Sequence, residues 1–307
     1  MAVGISRENI EGPYDDKIVL EQGLSPINGP HQGAWVQAED GSDWFFHFQD
    51  KRAYGRIVHL QPMDWENDWP VMGIDADGDG IGEPVLTYRK PVPGKFPIAN
   101  PAIHDEFNKR VLGVQWQWNA NWKPEWYSLG ERPDHLRLFA RVDRHYQTQQ
   151  HLWNVPSLLL QKLPAEEFVV DTAIDVRNMR PGDATGLLIY GLRYQWIGIK
   201  HHAHGKELAL AFCGNTETNC TEQIVTSLPF NGDQIFLRMT VTKGAQVQFA
   251  FSGDNLQFTP IGPNFAASEG RWVGARMGLF ALSTAGTNAP ETSFVDVDYF
   301  RVSPISN

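Results

Sequence analysis

The chain has 307 residues, a length that fits two average domains or one large all-β unit and leaves ample chain for a buried core. Hydrophobic residues make up 42% and charged residues 20%, which excludes a disordered polar chain and a coiled coil. Asp plus Glu outnumber Lys plus Arg by 36 to 26, a balance that argues against nucleic acid and anionic membrane surfaces as partners. No apolar run reaches the ~18 residues of a membrane span, and Met1 to Ser6 lacks the basic start and apolar stretch of a signal peptide. The expected compartment is therefore the cytoplasm. The 11 Trp, 28 Gly and 20 Pro suit short strands, tight turns and aromatic-lined grooves, which makes carbohydrate the first ligand class to consider.

In chain order, short alternating or aromatic runs predict strands at Ala34–Gln37, Asp43–Phe48, Arg56–Leu60 and Pro84–Tyr88. The segment after Tyr88 carries Pro91, Pro93 and Pro97, which suits an extended linker, and the domain boundary is placed there, dividing the chain into residues 1–97 and 98–307. Beyond it, strands are predicted at Val114–Trp118, Leu136–Ala140, Phe168–Val176, Thr185–Leu192, Trp196–Lys200, Glu207–Phe212, Ile235–Val241, Gln246–Ser252, Arg276–Leu282 and Phe294–Val302. Roughly ten strands with regularly spaced turn signals describe a β-sandwich of concanavalin-like or jelly-roll type. No segment sustains a 3.6-residue period over three turns, so the fold class is all-β throughout.

Several positions carry chemistry. His31 lies in the turn Asn28-Gly29-Pro30-His31-Gln32-Gly33 just before a strand, where an imidazole can hold a metal, carry a proton or contact a sugar, or simply bond at the surface. The run Asp43 to Arg56 leads through a strand into a polar turn with an amide, a carboxylate and an arginine, Gln49, Asp50 and Arg56. Asp75-Ala76-Asp77-Gly78-Asp79-Gly80 has the spacing of a calcium loop, although its twelfth position is Leu86 rather than a bidentate Glu. Asp296 and Asp298 alternate on the last strand, either as calcium ligands or as solvent-facing residues. Cys213 and Cys220 bracket a hairpin-like turn and are equally compatible with a disulfide and with two thiols. His201, His202 and His204 read as a solvated turn, and Trp116, Trp118, Trp122, Trp126 and Trp153 mainly as core or domain seam.

Five consecutive stretches carry a resemblance: Ser6 to Tyr14, Asn28 to Val36, Trp44 to Asp50, Tyr54 to Trp65, and Asn67 to Pro70. In order and spacing they resemble glycoside hydrolase family 43, most closely its β-xylosidase and α-L-arabinofuranosidase members with a C-terminal β-sandwich, and the region after Asn100 resembles that sandwich. The resemblance implies a five-bladed propeller of about 300 residues, with four strands to a blade. About 97 residues precede the sandwich here, enough for about two blades, so the expectation is a partial β-propeller followed by a complete sandwich.

The same resemblance implies inverting hydrolysis of xylo- or arabino-oligosaccharides by an Asp base, a tuning Asp and a Glu acid. All three lie on segments before the part that resembles Ser6 onward. Glu11-Gly12-Pro13 repeats the family's Glu-Gly-Pro, but its flanks, Ser6-Arg7 and Tyr14-Asp15-Asp16, match a later, non-catalytic occurrence. What carries over is His31 as the central metal-holding histidine, with Ca2+ as the implied ion, and Arg56 as the arginine of the sugar pocket, suited to that role by its fixed fork of donors. Gln49 and Trp35 are the further substrate candidates, and Asp296 and Asp298 the further metal candidates. Asp43, Asp50, Asp64 and Glu66 are the candidates for replacement acid and base. They are expected to act in a composite site, formed by a homodimer or by a complementing N-terminal chain. The alternative expectation is a non-catalytic carbohydrate-binding remnant or a truncated fragment.

Overall fold

The computed structural model describes residues 1–6, 9–215, 217, 220–284 and 293–305. Arg7 and Glu8 of the first motif, and Thr216, Thr218 and Asn219 of the turn between the cysteines, lie outside the described residues. The chain divides into a first unit, Met1–Lys51 with Gly55–Ala99, and a second, Arg52–Tyr54 with Asn100–Asn307.

The first unit begins with β1 (Ala2–Ile5) and β2 (Asp15–Ile18), an antiparallel pair. Next come β3 (His31–Gln37), β4 (Asp43–Asp50), β5 (Arg56–Glu66) and β6 (Trp69–Met72), which form one four-stranded antiparallel meander in chain order, the plan of a propeller blade. Alternation along β4 and β5 gives the sheet two faces. Phe45 and Met63 bury on one face with Val19, Leu20 and Met72. On the other, Phe46 and Val58 stay 40% and 65% exposed. The strand expected at Pro84–Tyr88 is absent. Buried Gln61 instead takes both backbone groups of Val85, accepting from its N–H at 2.8 Å and donating to its C=O at 3.4 Å, so a side-chain amide replaces a ladder partner.

The second unit runs β7 (Gln117–Trp118), β8 (Tyr127–Ser128), β9 (Leu136–Phe139), β10 (Arg141–Val142), α1 (Arg144–Gln149), β11 (Leu159–Lys162), β12 (Phe168–Asp175) and β13 (Asp183–Tyr190). It continues with β14 (Tyr194–His202), β15 (Gly205–Cys213), β16 (Gln223–Phe230), β17 (Gln234–Thr242), β18 (Gln246–Ser252), β19 (Thr259–Ala266), β20 (Arg276–Ser283) and β21 (Phe294–Ser303). An eight-stranded sheet, β16-β15-β14-β13-β20-β11-β7 with β10 beside β20, packs on a seven-stranded one, β19-β18-β17-β12-β21-β9-β8. Strands β16 and β19 escape the alternation pattern because they are sheet edges. Their residues are mostly exposed, and each tolerates a proline, Pro229 or Pro260, where a central strand would lose a ladder bond.

The eight-stranded sheet is buried on both faces. Leu187, Ile189, Ile197 and Leu210 point into the inter-sheet core, while Leu188, Tyr190, Trp196 and Ala211 point the other way and are covered by Tyr146, Leu152, Val155 and Leu158. Burying a side chain such as Trp196, 1% exposed, contributes about 2–3 kcal/mol. Cys213 and Cys220 are joined in a disulfide with Cα atoms 6.0 Å apart, which ties the segment before β16 to the end of β15.

Candidate functional site

The blade's two ends differ in chemistry. At one end β4 and β5 pair Asp50 with Arg56 and Phe48 with Val58, while β3 pairs His31 with Phe48. Directly opposite residues of an antiparallel pair share a face, so His31, Phe48, Asp50 and Arg56 lie on one side of the sheet. Phe48 is the centre of this group. The Arg56 guanidinium lies over its ring at 4.5 Å, and the His31 ring meets it edge-on at 4.7 Å. His31 Nδ1–H donates to the Gly29 carbonyl, which fixes the tautomer and leaves Nε2 as the acceptor or ligand atom.

The reach of His31 depends on a bulge. Between His31 and Ala34 the β3–β4 register shifts by one residue, and Gln32 takes φ 48°. A Cβ on Gly33 would stand 1.9 Å from the Phe46 carbonyl oxygen, so only glycine allows this approach.

On the opposite face of the same strands, Gln49 is a brace. It donates to the Pro26 carbonyl at 3.1 Å and accepts from His59 Nε2–H at 3.2 Å. The His59 ring stacks on His47 at 5.4 Å, and the two residues pair across β4 and β5. Burial lowers the pKa of His47, with further lowering by the neighbouring imidazoles, and burial followed by the charge of Lys51 lowers that of His59. Both rings are therefore neutral near pH 7 and serve as stiff supports beneath the cluster.

The remaining candidates do not converge on this end. Asp43 is seven residues from Asp50 along β4, roughly 23 Å at strand rise, and Asp64 and Glu66 lie at the same distant end of β5. Asp43 accepts from the indole N–H of Trp35 at 2.9 Å and of Trp65 at 3.0 Å, with the two rings 5.4 Å apart. Trp35 thus belongs to a tryptophan clip around Asp43, on the face opposite His31 and Arg56, rather than to their cluster. A pair of carboxyl groups about 6.5–9.5 Å apart, as inverting hydrolysis requires, cannot be drawn from Asp50 with Asp43, Asp64 or Glu66 of one chain.

The metal candidates are also redistributed. Asp296 is 3% exposed and accepts from Arg137 Nε at 2.8 Å and Nη2 at 3.0 Å and from Arg132 Nη1 at 3.2 Å, so guanidinium groups fill the lone pairs that calcium would need. Asp298 falls where the β21–β12 register shifts, which breaks the simple alternation that pairs it with Asp296. His31 brings one nitrogen ligand to this end, so an ion held there would draw most of its shell from water. Among the described residues, the group of three acidic ligand atoms near one another is Asp75, Asp77 and Asp79. Asp75 there accepts from the backbone N–H of Gly80 at 2.8 Å and of Gly78 at 2.7 Å, and these bonds lower its pKa.

Sequence reasoning passed over Phe48, His47 and His59. The signal for Phe48 was present, since positions 46, 48 and 50 of β4 share a face and Arg56 pairs with Asp50. What the sequence could not supply was the register that brings β3 alongside.

Residues 104–303 match the family model described as the beta xylosidase C-terminal concanavalin A-like domain. A beta-xylosidase from Formosa agariphila is 32% identical over 318 residues, covering 96% of this chain and 51% of the relative. A putative beta-xylosidase from Xylanibacter ruminicola is 36% identical over 272 residues, covering 88% of this chain and 48% of the relative. This chain therefore spans about half the length of these curated relatives. Among solved structures, a bifunctional GH43-CE protein of Bacteroides eggerthii superposes with a TM-score of 0.79 at 25% identity, covering 100% of this chain and 37% of the other. A xylan beta-1,4-xylosidase from Bacillus halodurans gives 0.79 at 21% identity, with coverage of 96% and 58%, and supports the same fold.

Proposed function

Because the chain belongs to the β-xylosidase C-terminal concanavalin A-like domain family of glycoside hydrolase family 43 proteins, we propose that it works in the hydrolysis of xylo- or arabino-oligosaccharides. In this reading Arg56 and His31 form part of the sugar-holding wall of a propeller pocket, and the acid and base come from polypeptide that completes the propeller. The observation that carries the proposal is the cluster of Arg56, Phe48 and His31 on one blade face, with Asp50 as the single member of the acidic set beside it.

Each group has a defined task. The Arg56 guanidinium, stacked on Phe48, presents its fork of donors to vicinal hydroxyls or to a carboxylate. His31 Nε2 accepts from a hydroxyl or orders a water. Asp50, opposite Arg56, is the local carboxylate, and one carboxylate binds sugar but does not complete an inverting pair. The exposed apolar face bearing Phe46 and Val58 supports a covering partner, either a second copy of this chain or a separate N-terminal chain.

The test is release of p-nitrophenol from the β-xyloside and the α-L-arabinofuranoside by three samples. These are the chain alone over a range of concentrations, the chain with the part of the Formosa relative that it does not match supplied as a separate polypeptide, and both with Arg56→Ala. Turnover that rises with self-association identifies the second copy, and turnover only in the mixture identifies the complementing chain. Either is expected to fall about a hundredfold with Arg56→Ala, since a charged, oriented contact contributes about 2–3 kcal/mol. Sugar binding without turnover in every sample overturns the hydrolytic reading in favour of a binding module.

A further inference from the structure

The outer face of the eight-stranded sheet, away from the inter-sheet core, carries cations without a counter-charge. Arg276 opens β20, and the ladders set it directly opposite Lys162 of β11 on one side and Tyr190 of β13 on the other. Directly opposite residues share a face, and alternation from Leu160, Leu188 and Phe280 places all three on the outer one. Arg276 is half-buried and Lys162 is exposed. Among the described residues no carboxylate pairs with either. Like charges at opposed positions repel, and here they do so in a chain whose net charge is -10.

The guanidinium is held in one place. Its carbon lies 5.0 Å from the centroid of the Tyr190 ring, and Nη2 donates to Asn119 Oδ1 at 2.9 Å. Asn119 is fixed in turn, because its Nδ2 is aimed at the carbonyls of Val155 at 2.9 Å and Trp153 at 3.2 Å and at the Tyr190 hydroxyl at 3.1 Å. A single neutral amide oxygen therefore serves a forked cation, and no other acceptor among the described residues takes its remaining N–H groups. The titration follows the same logic. Burial lowers the pKa of Arg276, whereas hydrogen-bonded carboxylates raise those of Arg137, Arg177 and Arg301.

This arrangement selects a flat, singly charged anion. A preorganised guanidinium meets a carboxylate through parallel N–H···O bonds, and the Lys162 ammonium adds a donor on a long arm. The surroundings offer more than a bare ion needs. Gly278, next on the same face of β20, puts no side chain over the sheet; Gln117 stands exposed opposite Leu160; and the half-buried Trp153 ring stacks on Tyr190 at 5.6 Å. An amide and an indole beside the cation suit the hydroxyls and the apolar ring face of a sugar that carries the carboxylate.

We propose that Arg276 and Lys162 form a binding site for the carboxylate of an acidic sugar, a uronate unit of an oligosaccharide. The carboxylate site rests on the sheet geometry alone; its assignment to a sugar rests on the functional reading above.

The experiment titrates the full chain separately with glucuronate, acetate, phosphate and xylose, and follows the Arg276 Nε–H, the Asn119 side-chain amide and the Lys162 backbone amide by NMR, so that binding at Arg56 is not counted. The expected result is saturable shifts with glucuronate, severalfold weaker affinity for acetate and no shifts with xylose. Lys162→Glu, an exposed substitution that supplies the carboxylate from within the chain, is expected to abolish the glucuronate shifts and raise the melting temperature. Arg276→Gln is expected to weaken glucuronate binding about tenfold, as loss of a charge-assisted hydrogen bond requires. Absence of saturable shifts with glucuronate overturns the site, as does binding that Lys162→Glu leaves unchanged. Phosphate binding as tightly as glucuronate overturns the carboxylate assignment, and acetate doing so overturns the sugar. Turnover in the assay above without these shifts leaves the hydrolase reading standing and this site refuted; shifts without turnover do the reverse.

Discussion

At the scale of single residues, the structure reassigns acidic groups by what their oxygens already hold. Asp43 is filled by two indole N–H groups and Asp296 by two guanidinium groups, whereas Asp50 stands opposite Arg56. Asp175 shows how strongly such pairing acts. Burial alone would raise its pKa, but hydrogen bonds from Arg177 at 2.5 Å and Arg132 at 2.8 Å outweigh burial and bring it from 3.8 to about 2. A folded-state pKa below the unfolded value means that the pair's stabilisation is complete above about pH 4 and is lost as pH falls towards 2. Arg177 is 56% exposed, so solvent screening discounts the contribution to on the order of 1–2 kcal/mol. Urea unfolding should show Asp175→Asn weakened by that amount at pH 7 and nearly level with the wild type at pH 2. An equal deficit at both pH values would mean a packing effect rather than a charge effect. From sequence, Asp175, Arg132 and Arg137 were anonymous charges and Asp296 read as a metal candidate, because the pairs span up to 164 positions and nothing local marks them.

At the scale of elements, strands with one buried face were legible and those held by exceptions were not. Phe168–Asp175 and Arg276–Ser283 carry unbroken apolar or alternating patterns and fall where the pattern places them. Pro84–Tyr88 reads equally well as a strand but is held by Gln61, a tertiary partner far away in sequence. The bulge at Gln32-Gly33 is a similar case, since Gly33 looks like ordinary turn glycine until the Phe46 carbonyl is placed beside it. Gly33→Ala is expected to destabilise the blade by about 2–3 kcal/mol through overpacking against backbone. It should also shift the His31 ring resonances away from those of the Phe48-packed ring. A variant with unchanged melting and unchanged His31 resonances would show that the bulge tolerates a side chain.

At the scale of the whole molecule, the two units differ in their response to acid. The first carries the His47–His59 stack, whose pKa values lie below the free value of 6.5, so its neutral rings stabilise fully above pH 6.5 and lose that contribution as pH falls through the lowered values. The second unit is guarded by carboxylate–arginine pairs such as Asp175 with Arg177 and Arg132, which give way only as pH drops from about 4 towards 2. Acid titration followed by amide NMR is therefore expected to show loss of protection in the first unit before the second. Simultaneous loss would show that the histidine stack does not limit the blade. The sequence by itself determined the all-β class, the sandwich and the kinship with glycoside hydrolase family 43, because period-two burial and short ordered motifs are local properties. Only the tertiary structure decided which polar residues meet. Strand register places Arg56, Phe48 and His31 together and sends Asp43, Asp64 and Glu66 to the far end; register joins positions that no local pattern connects.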